Sequence, residues 1–135
     1  MMVLKIQLKN RVQTVMKKLV AGSRLEEGSG GLDAKWIDTA AEILFERFDE
    51  TCGGFGSGMK FPEPMLYSLL LRHWRRFGSQ RSMEMLDKSL TRMAQGGIYD
   101  QLGGGFHRYS TDTKWLVPHF EKMLYDQAIL VQAYL

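Results

Sequence analysis

A chain with a single cysteine can form no disulfide within itself, and Cys52 stands alone here. No CxxC redox pair and no cysteine-based zinc site can be built around it. Long apolar runs are also missing. None approaches the roughly 20 residues of a membrane span, and Met1 to Lys9 alternate polar and apolar residues without the continuous stretch of a signal peptide. A reducing, cytoplasmic setting fits both absences. A strong charge bias is absent too. Eighteen basic residues against fifteen acidic ones leave a net charge of +3, too small an excess for a nucleic-acid footprint. The densest basic cluster, Arg72, Arg75 and Arg76 around His73 and Trp74, reads as the solvated face of an amphipathic helix. Proline is scarce, three against nine methionines, which suggests helices packed with adaptable side chains.

What is present is an ordinary globular composition, 44% apolar and 24% charged over 135 residues, enough for one modest core. Leu4, Leu8, Val12, Val15, Met16 and Leu19 recur at helical spacing, so a first amphipathic helix is expected over residues 1–21, ending near Gly22. A glycine- and serine-rich linker follows over 22–32. Asp33 can cap a second helix whose apolar stripe runs from Trp36 to Phe48. A third helix is expected from the Pro62/Pro64 pair to Gly78, and a fourth, carrying Met83, Leu86, Leu90 and Met93, up to Gly96-Gly97. Residues 106–109 and 114–117 flank the turn-forming 110–113, which predicts a short β-hairpin. Pro118 then opens a last helix whose apolar face (Phe120, Met123, Leu124, Ala128, Leu130, Val131, Tyr134) is still running at Leu135. The missing stop signal reads as a truncation.

One pattern occurs twice. Phe48-Asp49, three residues and Gly53-Gly54-Phe55 are followed, 51 residues on, by Tyr99-Asp100, three residues and Gly104-Gly105-Phe106. A repeat of about 50 residues holding two helices is the signature of stacked helical hairpins, in which equivalent loops fall at one end. The glycines permit a tight reversal, and the aspartates can bind loop amides.

Residues 96–135, GGIYDQLGGGFHRYSTDTKWLVPHFEKMLYDQAILVQAYL, together with GGFGSGMKFPEP at 53–64, resemble the thioredoxin-domain-containing family related to spermatogenesis-associated proteins. The resemblance extends over residues 33–135. It implies a two-part protein, a thioredoxin-like domain followed by an (α/α)6 toroid similar to those of N-acylglucosamine 2-epimerases and six-hairpin glycosidases. By that comparison the chain is an all-α, partial toroid of about five helices with one short β-hairpin, about two and a half of six hairpins at 33–135, without the thioredoxin-like domain. Gly58-Met59 stands where the family pattern has Ala-Pro before Lys60-Phe61-Pro62.

On the expected last helix His119, Lys122 and Asp126 share one face, and Glu121 and Tyr125 a neighbouring one. His107, Arg108 and Tyr109 lie just before. These groups supply the acids, bases, cations and stacking surfaces of a sugar site. The candidate catalytic residues are therefore Asp100, His119, Glu121 and Asp126. The candidate ligand contacts are Lys60, His107, Arg108, Tyr109, Lys122 and Tyr125. His107 and His119 lack a helical ligand spacing and a third partner, so neither a metal nor another cofactor is expected. Trp115, Phe106 and Phe120 read as core aromatics. Two functions remain open. One is a carbohydrate-binding or carbohydrate-modifying domain, epimerase- or glycosidase-like, complete only in a longer protein. The other is a non-enzymatic scaffold for a thioredoxin-like partner domain. Exposed apolar helix faces further predict a homodimer.

Overall fold

The computed structural model describes residues 2–23, 31, 33 and 35–135. It is mostly helical, with five helices and one short antiparallel strand pair: α1 (Met2–Ser23), α2 (Lys35–Arg47), α3 (Pro64–Phe77), α4 (Gln80–Gln95), β1 (Tyr109–Ser110), β2 (Pro118–His119) and α5 (Leu124–Tyr134). Two compact units divide at Leu32 and Asp33. In the first, α1 runs through Gly22 to Ser23, since one glycine costs a helix only about 1 kcal/mol. Val12, Val15, Met16 and Leu19 on it are exposed. Most of the expected linker, residues 24–30 and 32, lies outside the described residues.

In the second unit α3 is central and packs against α2, α4 and α5. Its start is unusual. Glu63 sits between two prolines, and Pro64 disfavours the right-handed helical region for the residue before it. Glu63 takes the left-handed region instead, φ 42° and ψ 54°, and its side chain makes no capping bond. Gly78, at φ 68°, closes the helix by donating to the Trp74 carbonyl, and Ser79 caps α4 by accepting from the Ser82 amide. Leu44, Tyr67, Leu70, Met85, Met93 and Leu130 form the interior with Phe55, Phe106 and Trp115. His73, the middle of the basic cluster, is buried and bonds Ser82 Oγ at 2.7 Å and Asp38 at 3.1 Å. Its arginine neighbours are exposed.

Two expected elements sit elsewhere. The strand pair joins Tyr109 to His119 and Ser110 to Pro118, not 106–109 to 114–117. The cause is Asp112, whose carboxylate accepts from the amides of Lys114, Leu116 and Val117. Those bonds fold 111–117 into a closed loop, with Thr111 N–H on the Val117 carbonyl at 2.9 Å. The last helix begins at Leu124, not after Pro118. Residues 118 and 119 are held in the strand pair, and the Glu121 carbonyl accepts from Arg108 N–H at 2.7 Å. That backbone is unavailable to a helix. The apolar face projected from Phe120 is corrected accordingly: Phe120 and Leu124 are exposed, and only Leu130 of the stripe is fully buried. No described helix is long and apolar enough to cross a membrane.

Candidate functional site

The two repeated loops are the same device built twice. Asp49 Oδ1 accepts from the amides of Thr51 and Cys52, and Asp100 Oδ1 from those of Leu102 and Gly103, at 2.8–3.0 Å. Each aspartate N–H donates to the second glycine carbonyl, Gly54 or Gly105, at 2.9 Å. All four glycines stand at φ between 71° and 81°, where a side chain would strain the backbone. Phe48 then bridges to Phe55, and Tyr99 to Phe106. A side chain beneath holds each exit, buried at Ser89 and half-buried at Gln127: Ser89 Oγ accepts from Gly54 N–H, and Gln127 Oε1 from Phe106 N–H. Each loop is closed by a lysine. Lys60 Nζ lies 2.5 Å from Asp49 Oδ2 and also donates to the Gly53 carbonyl. Lys122 Nζ lies 2.6 Å from Asp100 Oδ2 and 2.7 Å from the Gly104 carbonyl.

Three candidate residues are thereby bound into architecture. Asp100, read as catalytic, and Lys60 and Lys122, read as ligand contacts, are occupied with loop closure. The shared helix face of His119, Lys122 and Asp126 does not exist, because only Asp126 is helical. His119 is an exposed strand residue whose ring stacks on Tyr109 at 5.1 Å, and Tyr109 in turn stacks on Phe61 at 5.0 Å. Glu121 is exposed and paired with Arg108 at 2.8 Å, with His119 Nδ1 at 3.8 Å. His107 is buried, its ring edge-on to Phe120 at 5.4 Å, and its Nδ1 has no hydrogen-bond partner. No group of three metal-ligating side chains occurs among the described residues.

Arg108, Tyr125 and Asp126 do come together. With Phe61, Pro62 and Glu63 they line a cleft of about 310 Å³. Three separate pieces of chain meet there: the segment before α3, the residue before β1 and the first turn of α5. Glu63 and Phe61 were not candidates from sequence. The only signal for Glu63 is its place between two prolines.

The carboxylates divide by environment. Asp49, Glu63, Asp100, Asp112 and Asp126 are the half-buried ones among the described residues. For Asp49 and Asp112, burial pushes the carboxyl up. Bonds to Lys60 and loop amides in the first, and to loop amides and Ser110 in the second, outweigh it and hold both below the usual range. The Lys122 ammonium and two amides hold Asp100 far below it. Glu63 and Asp126 make no side-chain hydrogen bond or ion pair with any described residue. Burial raises both, only partly countered by the fields of Arg47 and Arg108. The raised pair therefore costs stability when ionised, at neutral pH. That cost fades as pH falls through their folded values. Asp126→Asn, fixed in the neutral form, should accordingly be more stable than the parent at neutral pH and lose that advantage in acid. Urea midpoints at several pH values test it, and an advantage independent of pH would refute it.

The comparisons with known proteins bear on the whole arrangement. No family model matches the chain. Human spermatogenesis-associated protein 20 is 43% identical over 129 residues, 90% of this chain. The chain is homologous to the spermatogenesis-associated family over that span. The mouse protein of the same name is 40% identical over the same length, and an uncharacterised protein of Caenorhabditis elegans is 45% identical over 91 residues, 64% of the chain. The chain spans only about a sixth of the length of the mammalian relatives, 16%. The match agrees with the resemblance carried by residues 53–64 and 96–135.

Proposed function

We propose that this segment supplies one wall of a small-molecule cleft in a helical-hairpin toroid, and that the cleft holds a hydroxylated, sugar-like ligand. One observation carries the reading. Of the five half-buried carboxylates among the described residues, three are consumed by their own loops, and the two left without partners among those residues share one cleft. A hydroxylated ring needs acceptors for its O–H groups, donors for its oxygens and a flat apolar face. Glu63 and Asp126 accept, Arg108 and Tyr125 donate, and Phe61 and Tyr125 offer rings. Carboxyls raised by burial are also the type that serves as general acid in sugar chemistry. The duplicated loops support the hairpin-toroid context, since stacked repeats place equivalent turns alike.

A non-enzymatic scaffold for a thioredoxin-like partner domain is the second reading. Its support is that Lys60, Asp100 and Lys122, all candidate site residues, are spent on loop closure. Titration calorimetry of the chain with D-glucose and N-acetyl-D-glucosamine separates the two. Under the cleft reading Asp126→Ala weakens binding roughly tenfold or more, because a hydrogen bond to a charged group contributes about 1.5–3 kcal/mol. The circular dichroism of the variant should match the parent. Absence of binding to the parent, or affinity unchanged in the variant, would favour the scaffold.

A further inference from the structure

We infer that the cleft selects a cation, a primary ammonium carried on a hydroxylated ring, over neutral or anionic rings of the same size. The inference rests on the cleft reading above and adds the charge of the ligand. Two carboxylates, Glu63 and Asp126, face one small cavity, and neither has a bonded partner among the described residues. One cation, Arg108, lines the same cavity, and part of its charge is met by Glu121, which its Nη1 bonds at 2.8 Å. Arg47 acts on Glu63, and Arg108 on Asp126, only through their fields. The cleft lining therefore carries two carboxylates against one guanidinium, which it shares with Glu121.

A neutral ring would leave that imbalance in place and would further shield the carboxylates from water. An anionic ring would add to it. An ammonium corrects it, and its three N–H donors match two carboxylates approached from different elements. The aromatic residues point the same way. Phe61 and Tyr125 flank the carboxylates, and an ammonium is attracted to ring faces as well as to acids. Phe61 is fixed by its stack on Tyr109, so its ring is already in position.

The chain is titrated with D-glucosamine, N-acetyl-D-glucosamine and D-glucuronate in slightly acid buffer that keeps the amine charged. D-glucosamine should bind at least tenfold more tightly than its N-acetyl form, and D-glucuronate least. Glu63→Gln and Asp126→Asn should each weaken binding of D-glucosamine several-fold more than binding of the N-acetyl form, so that the preference shrinks in both. Binding of the neutral sugar as tight as that of the amine overturns the charge assignment and leaves the sugar cleft standing. Failure of all three sugars removes both. A preference for the amine that survives in both variants, with their circular dichroism unchanged, places the ammonium elsewhere and also overturns the proposal.

Discussion

Lys60→Met is expected to lower the folding stability of the chain by about 3 kcal/mol, and Lys122→Met by clearly less. The two lysines do the same job. Each ammonium joins an aspartate carboxylate to the first glycine carbonyl of its loop. What separates them is burial. Lys60 has no exposed surface, whereas the Lys122 side chain is 33% exposed. Removing one partner of a buried pair leaves the other charge without water or counter-ion, at a cost of about 3–5 kcal/mol. Asp49 retains some exposure, which places the loss at the lower end. At Lys122 water replaces the ammonium. Lys60 also lies 5.5 Å from the Trp115 ring centre, a contact the second loop lacks. Urea denaturation of the two variants compares them directly, and equal losses would show that burial does not set the difference. The pH dependence has a fixed sign. Asp49 is held below its ordinary 3.8, so its contribution is complete above that value and disappears as pH falls through the lower folded one. Lys60→Met should therefore flatten the acid limb of the stability curve.

Much of this was legible in residue order, and the exceptions have physical causes. The Asp-x3-Gly-Gly-Phe repeat marked both loops, because positive φ demands glycine and loop amides demand an acceptor, and both demands are local. The lysines were not legible as loop closers. Lys60 follows its aspartate by 11 residues and Lys122 by 22, so no common spacing links them. The last helix was misplaced because apolar spacing continues through 118–123, while the backbone there is captured by β1 and Arg108 across the chain. That capture dissolved the proposed face of His119, Lys122 and Asp126. Glu63 went unnoticed because a proline pair reads as a helix start, and nothing local says that the residue between faces a cleft. Arg108, Tyr125 and Asp126 were legible as polar residues concentrated beside apolar ones. Which of their neighbours would be spent on loop amides was decided only by tertiary contacts.

Trp115→Ala is expected to cost about 4 kcal/mol, within the range for emptying a core site of a large aromatic, and to convert Gly54→Ala from a severe change into a mild one. Trp115 is fully buried although its backbone is left-handed, at φ 66°. Its position is fixed from several sides. The indole N–H donates to the Cys52 carbonyl at 3.0 Å, and its own carbonyl accepts from Ile98 N–H at 3.0 Å. One residue thus ties the first repeated loop to the chain entering the second. The ring lies so close to Gly54 that a Cβ there would stand 2.4 Å from the ring carbon Cζ2. In the parent, Gly54→Ala therefore suffers twice, from about 1–2 kcal/mol of left-handed strain at φ +72° and from about 1–3 kcal/mol of overpacking. Without the indole the second cost vanishes and the first remains. The double variant should then be more stable than the sum of the single losses by roughly 1–3 kcal/mol, the coupling expected of residues in direct contact. Trp115→Phe, which keeps a ring but leaves the Cys52 carbonyl without its donor, should fall between parent and alanine, at about 1–3 kcal/mol. Urea denaturation of the four variants gives the cycle. Strict additivity of Gly54→Ala and Trp115→Ala would mean that the two do not touch in solution, and that some other contact holds the first loop against the core.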